Sequence, residues 1–108
     1  MLVSAYLPAA LRGEPCDVPA VTLQTVAART SGRIGVLKLD CEGAEAEILE
    51  AAGPTLESVE RIVVEYHAAL LPDVVPRIRR VLEPWFDVTV AEGPRCGPMI
   101  RARRTGAP

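Results

Sequence analysis

Residues 34–49 read Ile34-Gly35-Val36-Leu37-Lys38-Leu39-Asp40-Cys41-Glu42-Gly43-Ala44-Glu45-Ala46-Glu47-Ile48-Leu49, and how they are parsed decides the fold. Ile34 to Leu39 is a nearly continuous apolar run interrupted by one lysine. That is the pattern of a strand covered on both faces, as in a parallel sheet. Two acids follow, Asp40 and Glu42, then a glycine at which the chain turns, then helical spacing from Gly43 to Ala52. Ligands of open α/β sheets bind just past the carboxyl ends of the strands, so Asp40 and Glu42 are expected at a ligand-binding rim.

Working outward, Thr22 is placed to cap a helix over Leu23 to Arg29, because its hydroxyl can accept an orphan backbone N–H. Val18 to Thr22 is a short strand candidate, and Ser31-Gly32 stops the helix. On the helical segment from Gly43 to Ala52, Ala44, Ile48, Leu49 and Ala52 share one face, and Glu45, Glu47 and Glu50 turn to water. Gly53-Pro54 ends it, with a further turn expected over Leu56 to Ser58. Arg61 to Tyr66 is a second buried-type strand. Asp73 caps a helix whose apolar stripe is Val74, Val75, Ile78, Val81, Leu82 and Trp85, and Pro76 falls in its first turn, where the missing donor is tolerated. Phe86 to Ala91 and Met99 to Arg103 read as an antiparallel hairpin. The order of elements requires crossover connections. The expected fold class is therefore α/β, with a mostly parallel sheet and a C-terminal antiparallel hairpin. Residues 1–17 are expected to be an irregular segment, 18–104 the folded unit and 105–108 a tail.

At 108 residues, 49% apolar and 24% charged, the chain suits one globular domain. Aromatics are only 4%, so the core is built from Val, Leu, Ile and Ala. A net charge of −2 gives no electrostatic reason to expect nucleic acid or an anionic membrane as partner. Arg95, Arg101, Arg103 and Arg104 cluster near the end but lack the interleaved aromatics of a nucleic-acid surface. No apolar run reaches the roughly 18 residues of a membrane span, and the start lacks the basic leader of a secretory signal. The expected location is cytoplasmic. Cys16, Cys41 and Cys96 show no metal-binding spacing and are read as small hydrophobes.

If the strands ending near Asp40 and Tyr66 are parallel neighbours, their carboxyl ends lie about 5 Å apart. Asp40 and Glu42 then face Glu65 and His67 across one rim. Asp40, Glu42 and Glu65 offer oxygen ligands for a divalent cation such as Mg2+. Alternatively, one of Asp40, Glu42, Glu65 and His67 serves as general base toward a substrate hydroxyl. Glu45 and Glu47 are read as solvated charges, Lys38 as a stem with its ammonium at the sheet edge or paired with an acid, and Trp85 as core.

Several segments in order resemble the FkbM family of methyltransferases. Val18-Pro19-Ala20-Val21-Thr22-Leu23 is similar to the family's "vpvxTLD", with Gln24 where Asp is frequent. Leu37-Lys38-Leu39-Asp40-Cys41-Glu42-Gly43-Ala44-Glu45 is close to its "LLKxDxEGAExExL" signature. Ile62-Val63-Val64-Glu65-Tyr66-His67 resembles "ivvExH", and Phe86-Asp87-Val88-Thr89-Val90 resembles "GFxVxv". The resemblance implies the C-terminal half of a Rossmann-like domain, with S-adenosylmethionine as cofactor and O-methyl transfer to a small-molecule hydroxyl of a sugar or natural product. The family's Gly-rich cofactor turn, "DVGANxG", has no counterpart in these residues; Gly32, Gly35 and Gly43 do not form one. The cofactor site is thus expected to be incomplete, and the signature strand to have an open side. That edge is expected either to be covered by the N-terminal segment, or to pair with a second copy or a partner chain, or to leave the fold marginally stable. An interaction module without catalysis is the alternative reading.

Overall fold

Alternation of buried and exposed residues gives one four-stranded sheet a helix-covered face and a face that is open among the described residues. The computed structural model describes residue 17, residues 19–93 and residues 97–105. The expected irregular segment up to residue 16, the tail from residue 106, and the loop residues Arg95 and Cys96 lie outside the described residues. The strands are β1 (Ile34–Leu39), β2 (Val59–Glu65), β3 (Phe86–Ala91) and β4 (Met99–Arg104), and the helices are α1 (Leu23–Ala27), α2 (Glu45–Ala52) and α3 (Val74–Leu82). A short 3-10 helix, Gly53–Ser58, links α2 to β2.

The sheet order is β1-β2-β4-β3. β1 and β2 are parallel, in the register Val36 to Arg61, Lys38 to Val63 and Leu39 to Val64. β4 lies antiparallel to both β2 and β3. Three strands therefore run one way, yet only one adjacent pair is parallel. This corrects the mostly parallel sheet expected from the sequence. The hairpin itself is as expected. Its second strand occupies the interior because Ile100 and Ala102 are buried under the helices beside Ile62 and Val64, whereas β3 keeps only Phe86 fully inside.

Along β2, Ile62 and Val64 point to the helices, followed by Tyr66 just beyond the strand. They meet Ala46, Leu49 and Ala52 of α2, and Val74, Ile78 and Leu82 of α3. Arg77 ties the two helices together through Nε to Glu50 Oε2, at 2.9 Å. Gln24 reaches from α1 to the last turn of α2, donating to the carbonyls of Ala51 and Ala52 at 2.9 and 3.1 Å. Those carbonyls have no partner within their own helix.

Several local expectations change. Residues 19–22 form no strand, although Thr22 does cap α1, its hydroxyl accepting from the Thr25 N–H at 3.1 Å. α1 stops at Ala27 because the Thr30 hydroxyl takes the Ala27 carbonyl at 2.7 Å. Asp73 stands at the N-cap of α3 without a side-chain capping bond. Trp85 lies past the end of α3 and is 42% exposed, so it is not core. β1 is covered on one face only among the described residues, and Val36 on the other face is 60% exposed. Lys38 shares that open face, exposed and, among the described residues, without an acid partner.

The asymmetry of the sheet sets a stability contrast. Leu49→Ala, on the fully buried face, is expected to cost about 3 kcal/mol. Val36→Thr, on the open face, is expected to change stability by less than about 0.5 kcal/mol. Urea unfolding of both variants followed by circular dichroism checks the pair. A comparable loss in both would mean that the open face is packed in solution.

Candidate functional site: an acid-histidine rim

Because β1 and β2 are parallel and their last paired residues are Leu39 and Val64, Asp40 and Glu65 leave the sheet at the same rim. The turn after β1 decides what gathers there. Glu42 has φ 52° and Gly43 has φ 107°. The first is left-handed backbone, which costs a non-glycine residue about 1 kcal/mol or more. The second is a conformation that favours glycine. Two such residues in succession fold the chain back, so that α2 starts beneath the rim.

The first residue of α2 is Glu45, and it is completely buried. Its Oε2 accepts the Gly43 N–H at 2.9 Å, and its Oε1 meets His67 Nδ1 at 2.8 Å. The expectation that Glu45 is a solvated helix-face charge is therefore wrong. The buried face of α2 is Glu45, Ala46, Leu49 and Ala52, with a carboxylate at its first position. With both Glu45 oxygens accepting, His67 Nδ1 carries its proton, and Nε2 is turned outward. Nε2 lies 3.6 Å from Asp40 Oδ1 and 3.6 Å from Glu42 Oε2.

The rim thus joins three of the expected site residues, Asp40, Glu42 and His67, and adds Glu45. Glu65 stays half-buried at the end of β2, on the opposite side of the strand from Val64, and forms no ion pair among the described residues. For a cation, Asp40, Glu42 and His67 each offer a ligand atom within 4.8 Å of the others. Beside the oxygen-only set of Asp40, Glu42 and Glu65 expected for Mg2+, the described residues thus offer one that contains an imidazole, a donor that suits transition metals better. Glu47 faces water, as expected.

Burial of the His67 ring lowers its proton affinity. The hydrogen bond that the ring donates to Glu45 and the charges of Glu45, Glu42 and Asp40 outweigh this and hold the pKa above its ordinary value. Cys41, half-buried beside Asp40, has its thiol pKa raised, first by burial. Tyr66 donates to Glu92, and burial followed by that carboxylate pushes its pKa up to about 12. It pins the end of β2 beside the rim to the start of the β3–β4 loop.

An α/β sheet with an acid-histidine rim past its two parallel strands is the frame of a small-molecule site. The family profile of the methyltransferase FkbM domain matches residues 5–87, more than three quarters of the chain. The chain belongs to that family. No curated protein and no solved structure matches it. No helix among the described residues is long and apolar enough to cross a membrane.

Membership implies S-adenosylmethionine as methyl donor. The described residues do not make a cradle for it. Among them the glycine turn that follows a parallel strand is Glu42-Gly43, and its Gly43 N–H is already given to Glu45. The outer edge of β1 has no strand beside it among the described residues.

The His67 pairing carries a pH signature. A pKa raised on folding contributes stability that is fully present below the unfolded value of about 6.5 and is lost as pH rises through the folded value. Melting temperature is therefore expected to fall on going from about pH 6 into the alkaline side of neutrality. Glu45→Gln should lower the His67 pKa, read from the ring proton shifts by NMR, and flatten that dependence. A His67 titration unchanged by Glu45→Gln would contradict the pairing.

Proposed function

We propose that this chain is the acceptor-binding part of an S-adenosylmethionine-dependent O-methyltransferase that acts on a hydroxyl of a sugar or natural product. The carrying observation is His67, held at Nδ1 by a fully buried carboxylate at 2.8 Å, with Nε2 presented between two acids. An imidazole fixed in this way takes a proton at Nε2 without losing its orientation, and the imidazolium that forms is stabilised by Glu45, Glu42 and Asp40. In the proton step the acceptor O–H breaks and Nε2–H forms, leaving an alkoxide-like oxygen for methylation. Asp40 and Glu42, both partly exposed, accept hydrogen bonds from neighbouring hydroxyls of a polyol and so favour one orientation of it. Glu65 lies next to this mouth and acts as a further acceptor for the same ligand. The donor half of the site is supplied from outside the described residues.

A second reading is favoured by the position of β1, an edge strand with Val36 60% exposed. Its unpaired backbone groups can take another strand, from a second copy or another chain. In that reading the domain recruits and does not catalyse. Static light scattering on the purified chain distinguishes the two, because a strict monomer with fast-exchanging β1 amides removes this reading.

The first reading is tested by NMR titration with a panel of neutral glycosides and polyols. At least one is expected to shift the His67 ring signals, and His67→Gln is expected to abolish the effect. If no hydroxyl compound perturbs His67, the acceptor role fails. In parallel, calorimetry with S-adenosylmethionine is expected to give binding weaker than about 100 μM, which is roughly −5.5 kcal/mol. Tighter binding would show that this chain holds the donor by itself.

A further inference from the structure

Strand alternation sorts the arginines that lie together in the sequence. Arg104 turns to the helix-covered side. Its Nε donates to the Val59 carbonyl at 2.9 Å, its Nη2 donates to the Leu56 carbonyl, and its guanidinium lies 5.1 Å from the centre of the buried Phe86 ring. It is a structural clamp. Arg101 and Arg103 turn the other way, onto the open face, and are exposed. There the register sets Arg103 directly opposite Arg61 of β2, and Arg101 opposite Val63, which in turn pairs with Lys38 of β1. Two adjacent rows across the sheet thus read Val36-Arg61-Arg103-Asp87 and Lys38-Val63-Arg101-Thr89. They hold four cations and one carboxylate.

Like charges directly opposite on neighbouring strands destabilise the pair. Neither Arg61, Arg101 nor Arg103 has a side-chain hydrogen bond or an ion pair among the described residues. Arg61, Arg101 and Arg103 line a shallow depression of about 420 Å3, together with Val63, Thr89 and Asp87. Neighbouring strands are about 4.8 Å apart and alternate residues of one strand about 6.7 Å apart, so the three heads can close on one small anion.

We infer that this depression is a binding site for a phosphoryl-bearing small molecule, with Arg61, Arg101 and Arg103 as its ligands and the Thr89 hydroxyl as an additional donor. Guanidinium forks match phosphate oxygens in bidentate geometry, and the anion relieves the repulsion between Arg61 and Arg103. Asp87, opposite Arg103, bounds the site at the β3 edge.

The test is an NMR and thermal-shift titration of the whole chain with sodium pyrophosphate, inorganic phosphate, glucose 1-phosphate and sodium sulfate at constant ionic strength. Pyrophosphate is expected to raise the melting temperature and to shift the amides of Arg61, Thr89, Arg101 and Arg103. Arg61→Gln and Arg103→Gln are each expected to weaken its binding about tenfold, and each to be at least as stable as the parent without anion. Stronger response to glucose 1-phosphate than to inorganic phosphate assigns the site to phosphate esters, and the reverse order assigns it to the free anion; both support a phosphoryl site. Equal response to all four salts, or a parent-like affinity in both variants, overturns it. A short single-stranded oligonucleotide binding more tightly than pyrophosphate overturns the small-molecule assignment.

Discussion

The arrangement at the rim depends on one buried carboxylate. A charged group taken out of water is costly unless its lone pairs are used. Both oxygens of Glu45 are used, one by the Gly43 N–H and one by His67 Nδ1. The first bond locks the turn in which Glu42 is left-handed and starts α2 where no side chain caps it. The second draws the residue after β2's last turn of chain back toward β1 and fixes which nitrogen of His67 faces out. A single side chain therefore couples the strand end, the helix start and the imidazole. This is why the mouth forms from β1 and β2 together.

What the sequence revealed and what it hid divide along physical lines. The limits of β1 and β3 are legible because β1 is a mostly apolar run and β3 an alternating one, each set off by turn-favouring residues, Gly32 and Asp40 for β1, and Pro84 and Gly93 for β3. Asp40, Glu42 and His67 are legible as a group because parallel neighbours must present their ends together. Glu45 was not, because helical periodicity assigns a charged residue to water by default. The signal that could have found it is the pair of hydrogen-bond partners offered by a glycine two residues before it and a lone histidine after the next strand. The place of β4 between β2 and β3 was hidden for another reason. Sequence order names a hairpin, but which of its strands goes inside depends on the fit of Ile100 and Ala102 beneath the helices.

The two faces of the sheet show how the same period-2 geometry serves opposite ends. On the covered face it stacks Ile62, Val64, Ile100 and Ala102 against α2 and α3. On the open face it sets arginine against arginine, which no consideration of the fold's own stability requires. The neighbouring Arg104, one residue on from Arg103, closes the carbonyls of the 3-10 segment and packs on Phe86. A cluster that reads in the sequence as one basic stretch is thus two features with different physical causes. Net charge, being a sum over the whole chain, conceals both.

The charges around His67 also limit what the ring can do. Three carboxylates raise its proton affinity, which makes it a stronger base once free but leaves it protonated for more of the time near neutrality. Whatever engages Asp40 and Glu42 weakens that hold, because hydroxyl hydrogen bonds spread their charge and a cation cancels it. Glu45 is out of reach of solvent and keeps its bond to Nδ1 throughout. On the proposed reading, a ligand that occupies the acids makes the ring a readier proton acceptor than it is with the mouth empty. Glu45, whose hydrogen bond and charge raise the ring's proton affinity most, also fixes its orientation, and Glu42 and Asp40 add to the negative charge around Nε2.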